Sequence, residues 1–250
     1  MASGIVGLRS ALCVEGVSVH YRDVVALQDV SFRVAPGEVV AVVGPNGAGK
    51  SSLFRAVLGL VGHEGRVMLD GRACRRRARR VEVAYLPQRA DVDLDFPIVV
   101  REVVAGGRRR FLRCGQPLRA LDRARVDDAL AAVGLTELAN RSIGAISGGE
   151  LQRVFLARAI AQEATILLLD EALSGVDQPR THELLGLFDA LAGHGAAILV
   201  ATHDLALARR RFHRCLALNR RLVADGPPTE CLCDERLEAV FGSGPVPAAA

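Results

Sequence analysis

Val39-Val40-Ala41-Val42-Val43 runs directly into Gly44-Pro45-Asn46-Gly47-Ala48-Gly49-Lys50-Ser51. Five apolar residues without a polar interruption are the pattern of a short strand buried on both faces of a parallel sheet. Lys50 to Leu60 reads as a helix that stops near Gly59 and Gly62. Strand, glycine loop and helix in this order predict an α/β fold with a mainly parallel sheet.

The rest of the chain extends that frame. Leu12 to Val19 and Val30 to Val34 alternate as strands do, and Pro36-Gly37 marks a turn before the buried strand. From about Pro97 to Gln162 the signals are helical and arginine-rich, with Val126, Ala129, Leu130 and Val133 on one helix face. Sheet character returns at Ile166-Leu167-Leu168-Leu169 and at Ala197 to Ala201. Between them Leu184, Leu187, Phe188 and Leu191 define an amphipathic helix. The helical middle, 97–162, is then an insertion in the sheet-forming part, and 242–250 is expected to be a flexible tail.

The glycine-rich octet matches G-x-x-x-x-G-K-[ST], and its strand-before, helix-after context is the one a phosphate loop requires. Glycines allow backbone N–H groups to turn inward on an anion, and the new helix aims its positive end at the same place. Lys50 offers an ammonium to β- and γ-phosphates and Ser51 a hydroxyl to Mg²⁺. Asp170-Glu171 follow four apolar strand residues, so both acids fall at the carboxyl end of the sheet, where open α/β sheets bind ligands. Asp170 suits a Mg²⁺ ligand, and Glu171 suits a base that takes a proton from water. His203, just past Ala197 to Ala201, falls at the same sheet edge and can meet a γ-phosphate.

Bulk properties bound the reading loosely. The 250 residues fit one large domain or two small ones, half of them are hydrophobic, and the net charge of +4 identifies no partner. Two arginine runs, Arg75-Arg76-Arg77-x-Arg79-Arg80 and Arg108-Arg109-Arg110, are expected to be solvated faces rather than phosphate sites. The six cysteines lack C-x-x-C spacing and are expected to be reduced thiols. No signal peptide is expected, because Arg9 interrupts a short apolar stretch, and no apolar run approaches the roughly 20 residues that span a bilayer.

Together with Ile146-Ser147-Gly148-Gly149-Glu150, these residues resemble the ATP-binding cassette (ABC) family over nearly the whole chain. The resemblance implies a single nucleotide-binding domain over 1–250. Its fold would be a P-loop NTPase (RecA-like) core, an N-terminal antiparallel β subdomain and an inserted helical subdomain. It implies ATP and Mg²⁺ as ligands, with Gly44, Pro45, Asn46, Gly47, Ala48, Gly49, Lys50, Ser51 and Ser52 around the phosphates and Tyr21 stacked on adenine. Gln88 matches the glutamine that reaches Mg²⁺ and the attacking water, so the metal set is Ser51, Gln88 and Asp170 and the catalytic set Glu171, His203 and Gln88. Ser147, Gly148 and Gly149 match the signature motif, which meets the nucleotide of a second copy, and Asp177 matches the segment that crosses between copies. Ile146, Glu150 and Ala172 stand where leucine, glutamine and proline are usual, and none of these changes removes a phosphate- or metal-binding group.

The same resemblance implies a partner set. It consists of a second copy closing head to tail around two ATP molecules, an integral membrane permease and, indirectly, an extracytoplasmic solute-binding protein. The chain would sit at the cytoplasmic face of the membrane, with no nucleic acid bound. Gln88-Arg89 and Val92-Asp93-Leu94-Asp95-Phe96-Pro97, followed by Val99 to Val104, are similar to the bacterial zinc and manganese importers, so the expected cargo is a divalent cation. Asp91, Asp93 and Asp95 then belong to a solvated coupling loop. The alternative is a soluble ABC ATPase acting on nucleic acid or another assembly. The stretch 89–146 has room for a small helical subdomain and no long coiled coil, which favours the transporter.

Overall fold

The computed structural model describes residues 11–73, 82–87, 93–113, 116–173 and 178–242. Gln88, Asp177, Cys74, Cys114, the arginine run at 75–80, Asp91 and the tail after Gly242 lie outside the described residues.

Two sheets organise the chain. The first is antiparallel, with β1 (Leu12–Tyr21) between β2 (Val24–Val34) and β4 (Glu64–Leu69), and the short β5 (Arg72–Ala73) outermost. The second has the order β10-β9-β3-β8-β7-β6. Its strands β3 (Val39–Val43), β6 (Val83–Leu86), β7 (Ile166–Asp170), β8 (Ala197–Thr202) and β9 (Arg214–Asn219) run parallel, and β10 (Arg221–Gly226) closes one edge antiparallel to β9.

Both faces of the parallel sheet are covered, which is why its strands read as unbroken apolar runs. Ala41, Val43, Leu167, Leu169, Ile198 and Val200 point into one core with the helices. Val40, Val42, Ile166, Leu168, Leu199 and Ala201 point into the other, against the first sheet and α1 (Lys50–Val57), whose Leu53 and Phe54 are wholly buried. The observed α1 ends three residues short of the expected Leu60, where Gly59 takes a left-handed φ of 67°.

Adjacent strands β6 and β7 are joined by a long helical excursion: α2 (Val100–Ala105), α3 (Ala120–Ala132) and α4 (Gly148–Ala161). Val126, Ala129, Leu130 and Val133 are buried, on the face that the spacing predicts. In α5 (Gln178–Gly193) the most buried residues are Leu185, Phe188 and Ala192, while Leu184, Leu187 and Leu191 are only half-buried, so the face is turned by about one residue from the sequence expectation. After β8 come α6 (Leu205–Arg211) and, beyond β10, α7 (Pro228–Cys231) and α8 (Asp234–Phe241).

One arginine run departs from expectation. Arg108 is buried, not solvated, and forms an ion pair with the equally buried Asp122 at 3.0 Å. It also donates to the Ala161 carbonyl and to Glu163 at 2.9 and 2.8 Å, and lies over the Phe111 ring. Arg109 is exposed. Four cysteines among the described residues, Cys13, Cys215, Cys231 and Cys233, are free thiols. No helix among the described residues is long and apolar enough to cross a membrane.

Candidate active site

Strand register builds the site. Val43 pairs with Thr202, Asp170 with Ala201 and Leu86 with Leu169. The residues that leave these strands, Gly44, His203, Glu171 and Pro87, therefore share one carboxyl edge of the sheet. Residues drawn from four separate stretches of sequence meet there because β3, β8, β7 and β6 are neighbours in space.

The loop after β3 has no space for side chains at two of its glycines. A Cβ on Gly44 would lie 2.1 Å from the Leu218 carbonyl oxygen, and one on Gly49 would lie 2.5 Å from the Ala26 oxygen and from Leu27 Cδ2. Gly49 also has φ 96°, a left-handed conformation that glycine adopts without strain. Contact with Ala26 sets the β1–β2 hairpin beside the loop, and that hairpin carries Tyr21 at its tip, exposed and paired with Val24. On the other side the Ala48 carbonyl accepts the Arg220 N–H at 2.8 Å, so the turn between β9 and β10 braces the loop.

Lys50 is buried, and its Nζ donates to the loop's own carbonyls, Gly44 at 2.7 Å and Pro45 at 3.1 Å. Burial holds the ammonium below the ordinary lysine range, and Glu171 and Asp170 pull it back up. The ammonium, the two carboxylates, Ser51 and Ser52 on the first turn of α1 and the exposed Asn46 and Gly47 thus gather at one place.

Asp170 is buried, and its Oδ2 accepts a hydrogen bond from Tyr85 Oη at 3.2 Å. Tyr85, on β6, packs edge-on against Phe54 of α1, 6.4 Å between ring centres. Burial raises the Tyr85 hydroxyl well above the ordinary tyrosine range, and the Asp170 charge adds to this, so the phenol stays a donor. The role of Tyr85 has no local sequence signal, because its hydrogen bond crosses 85 positions.

Glu171 has φ 53°, a left-handed conformation unusual for a residue with a Cβ. Its N–H donates to the Ala201 carbonyl at 3.1 Å. Its carboxylate lies 3.6 Å from His203 Nδ1, and the Glu171 side chain is 10% exposed against 56% for His203. His203 sits in a stiff turn, because the Asp204 N–H donates to the Thr202 hydroxyl and the Asp204 side chain caps α6 through the Leu207 N–H. A fixed acid and a solvent-facing imidazole can together order a water molecule and accept its proton.

Ser147, Gly148 and Gly149 open α4 at some distance along the chain from this edge, and all three are exposed. A capping box forms there. Glu150 N–H donates to Ser147 Oγ at 3.3 Å, and Glu150 Oε2 accepts from both the N–H and the hydroxyl of Ser147 at 2.7 and 2.8 Å. Those bonds, the backbone one first, keep the Glu150 carboxyl below the usual range, so this helix start carries a negative charge. A Cβ on Gly148 or Gly149 would meet nothing within 4 Å. Packing inside this chain therefore does not require glycine at either position.

Residues 27–174 match the family model described as ABC transporter. The chain belongs to the ABC transporter ATPases. Such a subunit hydrolyses ATP to power transport. It is 38% identical over 238 residues to the manganese transport system ATP-binding protein MntB of Listeria innocua, covering 95% of this chain and 98% of that one. It is 39% identical over 235 residues to the zinc transport system ATP-binding protein TroB of Treponema pallidum, covering 93% and 87%. Among solved structures, an inward-facing metal-chelate type ABC transporter superposes with a TM-score of 0.80 at 28% identity, covering 93% of this chain and 88% of that one.

Proposed function

We propose that this ABC ATPase drives import of a divalent metal cation, zinc or manganese, through a separate permease. Relatives that align over nearly its whole length at 38–39% identity are named for manganese and zinc transport, and this observation carries the cargo class. The cation is the permease's cargo and need not touch this chain.

The residues support a definite division of labour. Lys50 exchanges its two loop carbonyls for β- and γ-phosphate oxygens, and the loop N–H groups hold the rest of the triphosphate. Tyr21, at the hairpin tip beside Gly49, takes the adenine face. A buried carboxylate with a hydroxyl donor behind it, together with the Ser51 hydroxyl at the start of α1, is a hard oxygen donor set and fits Mg²⁺. Ser51, Asp170 and Gln88 would hold that ion, which neutralises phosphate charge when bound. Glu171 accepts the proton of the attacking water while His203 orients it, and Gln88 contributes from the segment after β6. Ser147, Gly148 and Gly149 of a second copy close over the γ-phosphate, with Asp177 at the contact between copies.

The whole chain, 1–250, is read as one nucleotide-binding domain with 97–162 as its helical subdomain. A groove of about 430 Å³ whose lining includes Asp93, Phe96, Ile98, Glu102, Phe155 and Arg158 opens at that subdomain, and Phe96 is exposed there. On this reading it takes a cytoplasmic loop of the permease, and the chain works at the cytoplasmic membrane face. An extracytoplasmic binding protein would deliver the cation.

The test is radiolabelled Zn²⁺ and Mn²⁺ uptake in a strain lacking this chain. Loss of one uptake, restored by the wild-type chain and not by Lys50→Ala, is expected. Unchanged uptake of both metals would overturn the proposal.

A further inference from the structure

We propose that Gln152 is a positioning residue that ties the signature helix to the catalytic-base turn of its own chain. The inference rests on the reading of Glu171 as the base that activates water.

The observation is a hydrogen bond from Gln152 Nε2 to the Ala172 carbonyl, 2.6 Å long and partly buried. Ala172 is the residue after Glu171 and is itself buried. Glu171 is left-handed at φ 53°, a conformation that costs a non-glycine residue about 1–2 kcal/mol. Such a turn relaxes unless its flanks are held. The Glu171 N–H is fixed by the Ala201 carbonyl of β8, and the Ala172 carbonyl by Gln152. These two bonds grip the strained residue from both sides, and the second comes from α4.

Gln152 lies five positions after Ser147, roughly 7–8 Å along a helix. The same helix carries a second polar anchor at its far end, where Gln162 Nε2 donates to the Val83 carbonyl of β6 at 3.1 Å. That strand carries Tyr85, whose hydroxyl reaches Asp170. Through glutamine amides, α4 is therefore fastened to the strand that supports the metal-binding acid and to the turn that aims the base. On the reading of Ser147, Gly148 and Gly149 proposed above, its exposed tip meets the nucleotide of a second copy. A shift of that tip when the other copy's triphosphate docks reaches Glu171 through a rigid rod and one hydrogen bond.

The experiment compares Gln152→Met and Gln152→Lys with the wild-type chain for three quantities: kcat for ATP hydrolysis, affinity for Mg·ATP and Tm. Met keeps the length and loses the donor, while Lys keeps a donor at similar reach. Misplacing a catalytic group by about 1 Å can cost on the order of a hundredfold, so Gln152→Met is expected to lower kcat about ten- to a hundredfold. Its Mg·ATP affinity should stay within about twofold and its Tm within about 4 °C, the shift for roughly 1 kcal/mol in a chain of this size. Gln152→Lys is expected to recover part of the lost kcat. A wild-type kcat in Gln152→Met, a parallel loss of affinity or Tm, or a Lys variant no better than Met would each overturn the proposal. Glu171→Gln, measured alongside, separates the two levels. If it hydrolyses ATP at the wild-type rate, the site reading itself fails; if it is inactive while Gln152→Met is normal, only the role of Gln152 fails.

Discussion

Replacing Gly149 by alanine separates what this chain needs for itself from what it offers to another molecule. The added Cβ meets nothing within 4 Å, and Gly149 has no left-handed φ to defend. It lies in the first turn of α4, where alanine is the better helix former by up to about 1 kcal/mol. Stability should therefore hold or rise, with Tm moving by about 0 to +4 °C. Activity should move the other way. If a γ-phosphate from a second copy seats against these N–H groups, a methyl group intrudes where the phosphate must close. Loss of the anion's preorganised donors costs on the order of 10²–10³ in kcat. Gly49→Ala is the internal comparison: there the Cβ strikes the Ala26 oxygen at 2.5 Å and φ is 96°, so stability and activity fall together. Thermal denaturation and steady-state ATP hydrolysis on the same preparations decide it. A Gly149→Ala protein that is destabilised, or that hydrolyses ATP normally, would refute the reasoning.

Tyr85→Phe removes the hydrogen bond to buried Asp170 and keeps the ring on Phe54. It should weaken Mg²⁺-dependent activation of hydrolysis about ten- to a hundredfold, the worth of one hydrogen bond to a charged group, as read from Mg²⁺ titrations of the rate. Arg108→Ala strands Asp122 in the core and should cost about 3–5 kcal/mol in denaturant titration, whereas Arg109→Ala should stay within about 0.5 kcal/mol. Lys50 binds phosphate only when charged, and burial lowers its pKa in the free protein while phosphates raise it in the complex. ATP binding should therefore take up protons on the alkaline side of neutrality and weaken as pH rises. Calorimetry in two buffers measures the uptake, and uptake that persists in Lys50→Arg would contradict the assignment.

Three of the parallel strands were legible because burial on both faces leaves an unbroken apolar run, as in Val39–Val43 and in the four residues before Asp170. Asp170 and Glu171 could be placed at the sheet edge for the same reason: acids that follow such a run must lie where the strand ends. Less could be read where a residue's fate depends on a distant partner. Arg108 looks like its neighbour Arg109 in sequence and differs only because Asp122 waits in the core, with Glu163 at the surface beside it. Strands β9 and β10 carry Arg214, Cys215 and Arg221 among their apolar residues, and no simple alternation announces them. Arg214 is accommodated by Glu38 and Asp225, one of them 176 positions away. The left-handed φ of Glu171 and the hold of Gln152 on Ala172 are backbone facts with no sequence periodicity.

The account turns on two copies of this chain closing over shared ATP. Glu171→Gln keeps the size and hydrogen-bonding capacity of the base but cannot take a proton, so bound Mg·ATP should persist. Light scattering on that variant should give a monomer without nucleotide, a dimer with Mg·ATP and a monomer again when Gly149→Ala is added. A Glu171→Gln protein that binds Mg·ATP tightly and remains monomeric would contradict the account.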